Sequence, residues 1–267
     1  MIIEPLTIFI IIYLAIASYF DLKTREIPDY VNYSAFAIGF LYKSYSAIIN
    51  QNHYFLTFPL ILSLIIFGFG YLMYLIGGWG GGDTKLLTSC AMLFGWNKNN
   101  PSIFISFLVA LFIFVFLWSI SYALTIGIIK YDKIKEKINK IKFFTLLISG
   151  IAFHLIMHNT IMLLLFLLLS LLEPIKVIQD NCFVKEIKAK ELTLGDWVVK
   201  KVKIGKYELK PKKTGADKED LKNAKNSNKK ILIKEGVPLS PAFLFAYLTI
   251  IFKQKIITTI LQMLITI

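Results

Sequence analysis

Gly77-Gly78-Trp79-Gly80-Gly81-Gly82-Asp83-Thr84-Lys85 is the stretch on which the reading of this chain turns. It separates an apolar run at 55–77 from a shorter one at 84–96, and it carries one acid, Asp83. Ionisable groups at membrane depth are costly, and those that persist there are usually functional. Glycines let the backbone bend and let another chain come close. They also allow Asp83 to stand at the head of the next helix, where free backbone N–H groups can bind its carboxylate. Taken alone, this is also the appearance of an ordinary helix N-cap.

Working outward, the chain around this stretch is too apolar for a soluble domain. Of 267 residues, 56% are hydrophobic and 18% charged, and the mean hydropathy is +0.64. A soluble domain is nearer half apolar and about a quarter charged. Residues 1–128 hold five acids, Glu4, Asp21, Glu26, Asp29 and Asp83, whereas 173–236 holds ten acids and seventeen lysines. Spans of roughly 20 apolar residues are expected at 2–20, 31–49, 55–77, 102–129 and 238–252, with an overlong run at 143–172. Residues 2–20 make a poor signal peptide, because Glu4 stands in the basic region and no small-residue cleavage site follows. The expected fold is an all-α polytopic membrane helix bundle of about six transmembrane helices, with a small, partly β, soluble lobe before the last helix. The expected divisions are 1–172, membrane domain; 173–236, soluble lobe; and 237–267, final helix and tail.

The net charge of +13 invites a nucleic-acid partner, yet 29 of the 30 basic residues are lysine and only Arg25 is arginine. No helix-turn-helix, zinc-finger or aromatic RNA-binding signature accompanies them. Lysine-rich loops facing anionic lipid explain the charge more simply. No GxxxxGK[ST] loop supports an ATPase. Cys90 and Cys182 have no metal-ligand spacing. His154 and His158 lie four apart with Asn159 beside them, but Leu155 stands where a His-Glu-x-x-His site needs glutamate, so a polar interhelical contact is the preferred reading.

Orientation follows from 130–142, which carries six lysines between two apolar runs and is therefore expected on the cytoplasmic side. Counting spans backward puts 77–84 and 21–30 on that side and the N-terminus outside. Lys23, Arg25 and Lys85 agree; Lys98 and Lys43 fall opposite. Asp21, which closes the first apolar run, thereby shares a membrane face with Asp83, 62 residues away. Singly, each reads as an interfacial or capping carboxylate. Together, beside four glycines in five residues, they suggest a working pair. Two carboxylates held close tend to share one proton. One can then act as base toward water and the other as acid toward the scissile group.

Asp21, then Ile27-Pro28-Asp29, then Gly80-Gly81-Gly82-Asp83-Thr84-Lys85 resembles the GxGD membrane aspartyl proteases, specifically the type IV prepilin peptidases and archaeal preflagellin peptidases. Val237-Pro238-Leu239-Ser240-Pro241-Ala242-Phe243 looks like the proline-containing start of that family's last helix. The resemblance covers roughly 1–128 and 236–252. It implies an aspartic endopeptidase with Asp21 and Asp83 as the catalytic pair and with Gly80, Gly82, Pro28, Asp29, Lys85 and Pro238 in support. Asp29 is then supportive rather than catalytic, and Lys85 helps to hold charge near Asp83. The implied substrate is a prepilin or archaellin precursor, with a short basic leader followed by an apolar helix. The implied location is the cell membrane, multi-pass, with the active site at the cytoplasmic face and no metal or cofactor. The four-cysteine zinc loop of many bacterial members is missing, which points to the archaeal type.

Two other functions remain open on the residues alone. A presenilin-like intramembrane protease shares the Gly-x-Gly-Asp chemistry, although its first aspartate is expected inside a helix after tyrosine, and here Phe20 precedes Asp21. A proton-coupled transporter could use two carboxylates at a broken helix, but no inverted repeat of the glycine segment is present. Segment 143–172 decides where the lobe lies: a single crossing puts it outside, a hairpin keeps it cytoplasmic. Its net +7 favours the inside. Within the lobe, Val202, Ile204, Tyr207 and Leu209 alternate around Gly205-Lys206 and predict a hairpin, and the lysine-rich 211–230 is expected to be a flexible loop.

Overall fold

In the computed structural model the described residues are 5–94, 103–157, 160–205 and 207–265, the side chains of Lys140, Ile141, Ile156, Thr160, Ile161 and Leu164 and those beyond Phe252 excepted. Nearly all of the apolar sequence is helical. Helices run as α1 (Pro5–Thr24), α2 (Asp29–Ile49), α3 (Tyr54–Leu75), α4 (Gly81–Phe94), α5 (Ile103–Ile129), α6 (Lys140–Met157), α7 (Thr160–Cys182), α8 (Lys218–Ala224) and α9 (Ser240–Ile265). Among the described residues, three helices are long and apolar enough to cross a membrane: α1, α3 and α5. On α3 and α5 the outward residues include Ile61, Leu64, Leu72, Phe112 and Phe116, all well exposed. A helix apolar on its outer as well as its inner face is built for a lipid surround. The chain is a membrane protein. The expected span at 31–49 is helical as α2 but is not among those three; Asn32, Lys43 and its serines interrupt its apolar character.

Helix α4 is the hub. From Leu86 to Phe94 its apolar side chains are buried against α2 and α3 and within a core that includes Leu14 and Ala17 of α1, Phe107 of α5 and Phe243 of α9. The crossing of α3 and α4 is close. A Cβ on Gly70 would lie 2.6 Å from Thr84 Cγ2, and the Thr84 hydroxyl donates to Gly70 O at 3.1 Å. That contact pins the start of α4 to the end of α3, leaving the glycine turn between them.

The overlong run at 143–172 is two antiparallel helices, α6 and α7. Lys142 pairs with Glu173 at 3.7 Å, while Gly150 faces Phe166, whose Cβ lies 2.5 Å from where a glycine Cβ would be. The run therefore doubles back. Helix α7 then continues to Cys182, ten residues past the expected boundary at 172. Hydropathy ends where Glu173, Lys176 and Asp180 begin, but these residues propagate a helix as well as apolar ones do. The end of α7 docks on the end of α5, where Gly127 meets Ile178 and Lys130 Nζ donates to Cys182 O at 2.6 Å.

The lobe has its own small core, including Val198, Leu209, Ile231 and Ile233. Strand β1 (Val184–Lys188) pairs antiparallel with β5 (Lys230–Lys234), which also pairs with β2 (Trp197–Val198), so β5 is central. Strands β3 (Val202–Ile204) and β4 (Tyr207–Leu209) form the expected hairpin, with Ile204 opposite Tyr207; Lys206 lies outside the described residues. The flexible loop expected at 211–230 is corrected. Asp217 caps α8 by accepting from Glu219 N and Asp220 N at 3.0 Å, and Asp220 returns the bond to Asp217 N at 2.9 Å. Lys212 bridges both carboxylates at 2.6 Å. A reciprocal cap and a shared lysine order a segment whose composition is polar throughout.

Candidate active site

Asp21 lies in the last turn of α1, on the stripe Ile10, Leu14, Ala17, Asp21 that faces the core at helical spacing. It is only 7% exposed. Its Oδ2 accepts a hydrogen bond from the backbone N–H of Ser240 at 2.9 Å. Ser240 opens α9, so this N–H has no acceptor within its own helix, and the positive end of that helix faces the carboxylate. Pro238 and Ser240 are both buried, and the Trp118 indole N–H holds Pro238 O at 2.6 Å. This fixes the entry to α9 against α5.

Asp83 is in the first turn of α4, its carboxylate lying close against Gly80. A Cβ on Gly80 would sit 3.1 Å from Asp83 Oδ2, so the turn can wrap the carboxylate this closely because residue 80 is glycine. Gly77 has a different reason. Its φ is +79, and a Cβ there would lie 2.8 Å from Lys213 O of the lobe. Gly82 packs on Ile27, its nearest approach from a Cβ being 3.7 Å. That contact lays the segment after α1 on the glycine turn and brings the two aspartates together, within reach of each other's charge.

The remaining sequence candidates divide. Lys85 makes its ion pair with Asp29 and not with Asp83, and its Nζ lies 5.6 Å from the centre of the Tyr33 ring. The pair ties the start of α2 to the start of α4, with half-buried Pro28 at the bend between α1 and α2. His154 is half-buried with Nδ1 unpartnered; its expected companions, His158 and Asn159, lie outside the described residues. Two features escaped the sequence reading. One is the Ser240 N–H, a backbone group that no side-chain motif advertises. The other is Arg25, whose Nη2 donates to the Tyr122 hydroxyl; being the sole arginine was the available signal. A cleft beside the glycine turn is lined by Tyr74, Trp79, Gly80 and Gly81 and, from the lobe, by Gly195, Trp197, Lys213 and Thr214.

Two carboxylates at one end of a helix bundle, one on a glycine turn and one under a helix N-terminus, are the parts that acid–base hydrolysis of a peptide bond needs. Comparisons with known proteins find similarity to peptidases. Residues 8–118 match the type IV leader peptidase family. The chain is 38% identical over 80 residues to a preflagellin peptidase of Methanocaldococcus jannaschii, covering 30% of this chain and 34% of the relative. It is 31% identical over 94 residues to Prepilin peptidase EppA of Methanothermobacter thermautotrophicus, covering 35% of this chain and 24% of that one. The matches thus span about a third and about a quarter of the lengths of these relatives. No solved structure matches the chain. Across residues 8–118, which hold both aspartates, the Ile27-Pro28-Asp29 bend and the glycine turn, this chain is similar to the type IV leader peptidase family.

Proposed function

We propose that this chain is a membrane aspartyl endopeptidase that removes the short basic leader from type IV prepilin-like or archaellin precursors. Asp21 and Asp83 are its catalytic pair, one taking a proton from water and the other giving one to the departing amine. The observation that carries the reading is the approach of these two carboxylates, one from the last turn of α1 and one from the first turn of α4. The peptidase names of the two archaeal relatives support it. Gly80 shapes the turn around Asp83, Gly82 seats it on Ile27, Asp29 and Lys85 brace it, and Pro28 and Pro238 set the bends on either side.

In this reading the bundle crosses the membrane about six times, with the aspartates at the cytoplasmic face. The expected lobe at 173–236, whose first ten residues complete α7, lies on the cytoplasmic side, and 237–267 provides the final helix and tail. Support comes from the six lysines of 130–142 and from the way α6 and α7 double back to that end of α5. A precursor leaves its basic leader among the lipid headgroups while its apolar segment enters the bilayer. The junction then arrives at the depth of the aspartates. Purified protein incubated with such a precursor should release one leader fragment cut at the polar–apolar boundary, seen by mass spectrometry. No cleavage, or cuts scattered through the apolar segment, would overturn the proposal.

A further inference from the structure

Arg25 is held in a way that its role as a loop residue does not explain. It follows α1 directly, with φ +62, and its N–H donates to Asp21 O at 3.0 Å to close the helix. Glycine or asparagine suits this left-handed position; a long side chain persists there only where its surroundings hold it. What holds Arg25 is Tyr122 of α5. The guanidinium carbon lies 5.1 Å from the centre of the Tyr122 ring, and Nη2 donates to the Tyr122 hydroxyl. Tyr122 is in turn packed by Trp118 at 6.3 Å and Phe183 at 5.9 Å, so the clamp is anchored in the helix bundle.

The clamp leaves Nη1 buried with no hydrogen-bond partner. Leaving a buried charged donor unsatisfied is expensive, and native structures retain few such groups. The guanidinium is within electrostatic reach of Asp21. Because Nη2 is already committed to Tyr122, Nη1 is the donor left to meet an oxygen acceptor.

We propose that Arg25 is a substrate-binding residue, its Nη1–H donating to one oxygen of the peptide beside the scissile bond. The acceptor is a main-chain carbonyl or a side-chain carboxylate, and Tyr122 is the positioning residue that aims the guanidinium. The inference rests on the leader-peptidase reading. It adds a contact on the substrate that neither aspartate provides.

The test couples changes in the enzyme to changes in the substrate. kcat and KM are measured for wild type, Arg25→Gln, Arg25→Lys and Tyr122→Phe with a prepilin-like peptide. Two substrate series accompany it. In one, each non-scissile amide near the cut becomes an ester, which weakens its carbonyl as an acceptor; in the other, each acidic side chain becomes its amide. Wild type should lose about tenfold in kcat/KM at one substrate position, while Arg25→Gln, already weakened chiefly in KM, should be insensitive at that position and normally sensitive elsewhere. A response in the ester series identifies a carbonyl, and one in the amide series a carboxylate. If Arg25→Gln does not fold, Tyr122→Phe and Arg25→Lys must show reduced sensitivity at that same position. Equal sensitivity of all active variants at every position overturns the inference, as does a wild type that cleaves but has no sensitive position. A wild type that cleaves no precursor instead overturns the leader-peptidase reading, and this inference falls with it.

Discussion

The backbone N–H of Ser240 donates to Asp21 Oδ2 across 2.9 Å, joining residues 219 positions apart in the chain. One end of the first helix is thereby held by the start of the last. The donor is the peptide group and not the serine side chain, and this separates two substitutions. Ser240→Ala keeps the N–H and should keep most of the activity. Ser240→Pro removes it; a hydrogen bond to a charged group is worth about 1.5–3 kcal/mol, so kcat/KM should fall by about 10- to 100-fold. Steady-state cleavage assays on protein with an unchanged circular dichroism spectrum check this.

The proposed pair makes a sharper demand. Asp21→Asn and Asp83→Asn each remove a proton carrier without changing shape, and each should lower kcat by about 10²–10⁴-fold while the protein still inserts in the membrane. Asp29→Asn breaks the ion pair with Lys85, 58% of the Asp29 side chain being exposed, and should leave measurable activity. Wild-type turnover in either of the first two variants would remove that aspartate from the chemistry.

The doubling back of α6 on α7 leads to a labelling prediction. Single cysteines introduced at Lys135, before α6, and at Ser227, in the lobe, should react with an impermeant maleimide from the same side of sealed vesicles. Native Cys90 and Cys182 are buried and should stay silent. Reaction from opposite sides would mean that 143–172 crosses once.

The cap of α8 titrates. The hydrogen bond from Lys212 holds the Asp217 carboxyl down from its ordinary value of 3.8 to about 2. A carboxylate with a lowered folded-state pKa stabilises above its unfolded value and loses that contribution as pH falls toward the folded one. Hydrogen-exchange protection of the amides in α8, corrected for intrinsic rates, should therefore be constant above about pH 5 and decline between pH 4 and 2. Asp217→Asn should start lower and show little decline.

Much of this architecture was readable along the chain because its signals are local. Apolar length marked the helices, glycines marked the turn before Asp83, and alternation marked the β3–β4 hairpin. The expectation that Asp21 and Asp83 share a membrane face drew only on the positions of lysines and a count of spans. The stripe of residues 10, 14, 17 and 21 could also have revealed that Asp21 points inward.

Partners remote in the chain were settled by packing. Lys85 is two residues from Asp83 yet pairs with Asp29, because the start of α2 lies beside the start of α4. The apolar run at 143–172 splits because Gly150 lets Phe166 pack against it, a matter of helix contact that hydropathy does not register. The polar 211–230 is ordered in part by a cap and a shared lysine, where composition alone suggested a loop. Spacing and hydropathy report what each segment prefers near itself, but the direction of an N–H or a guanidinium depends on where other helices end. For that reason the tertiary structure alone could bring Ser240 to Asp21 and leave Arg25 Nη1 buried without a partner.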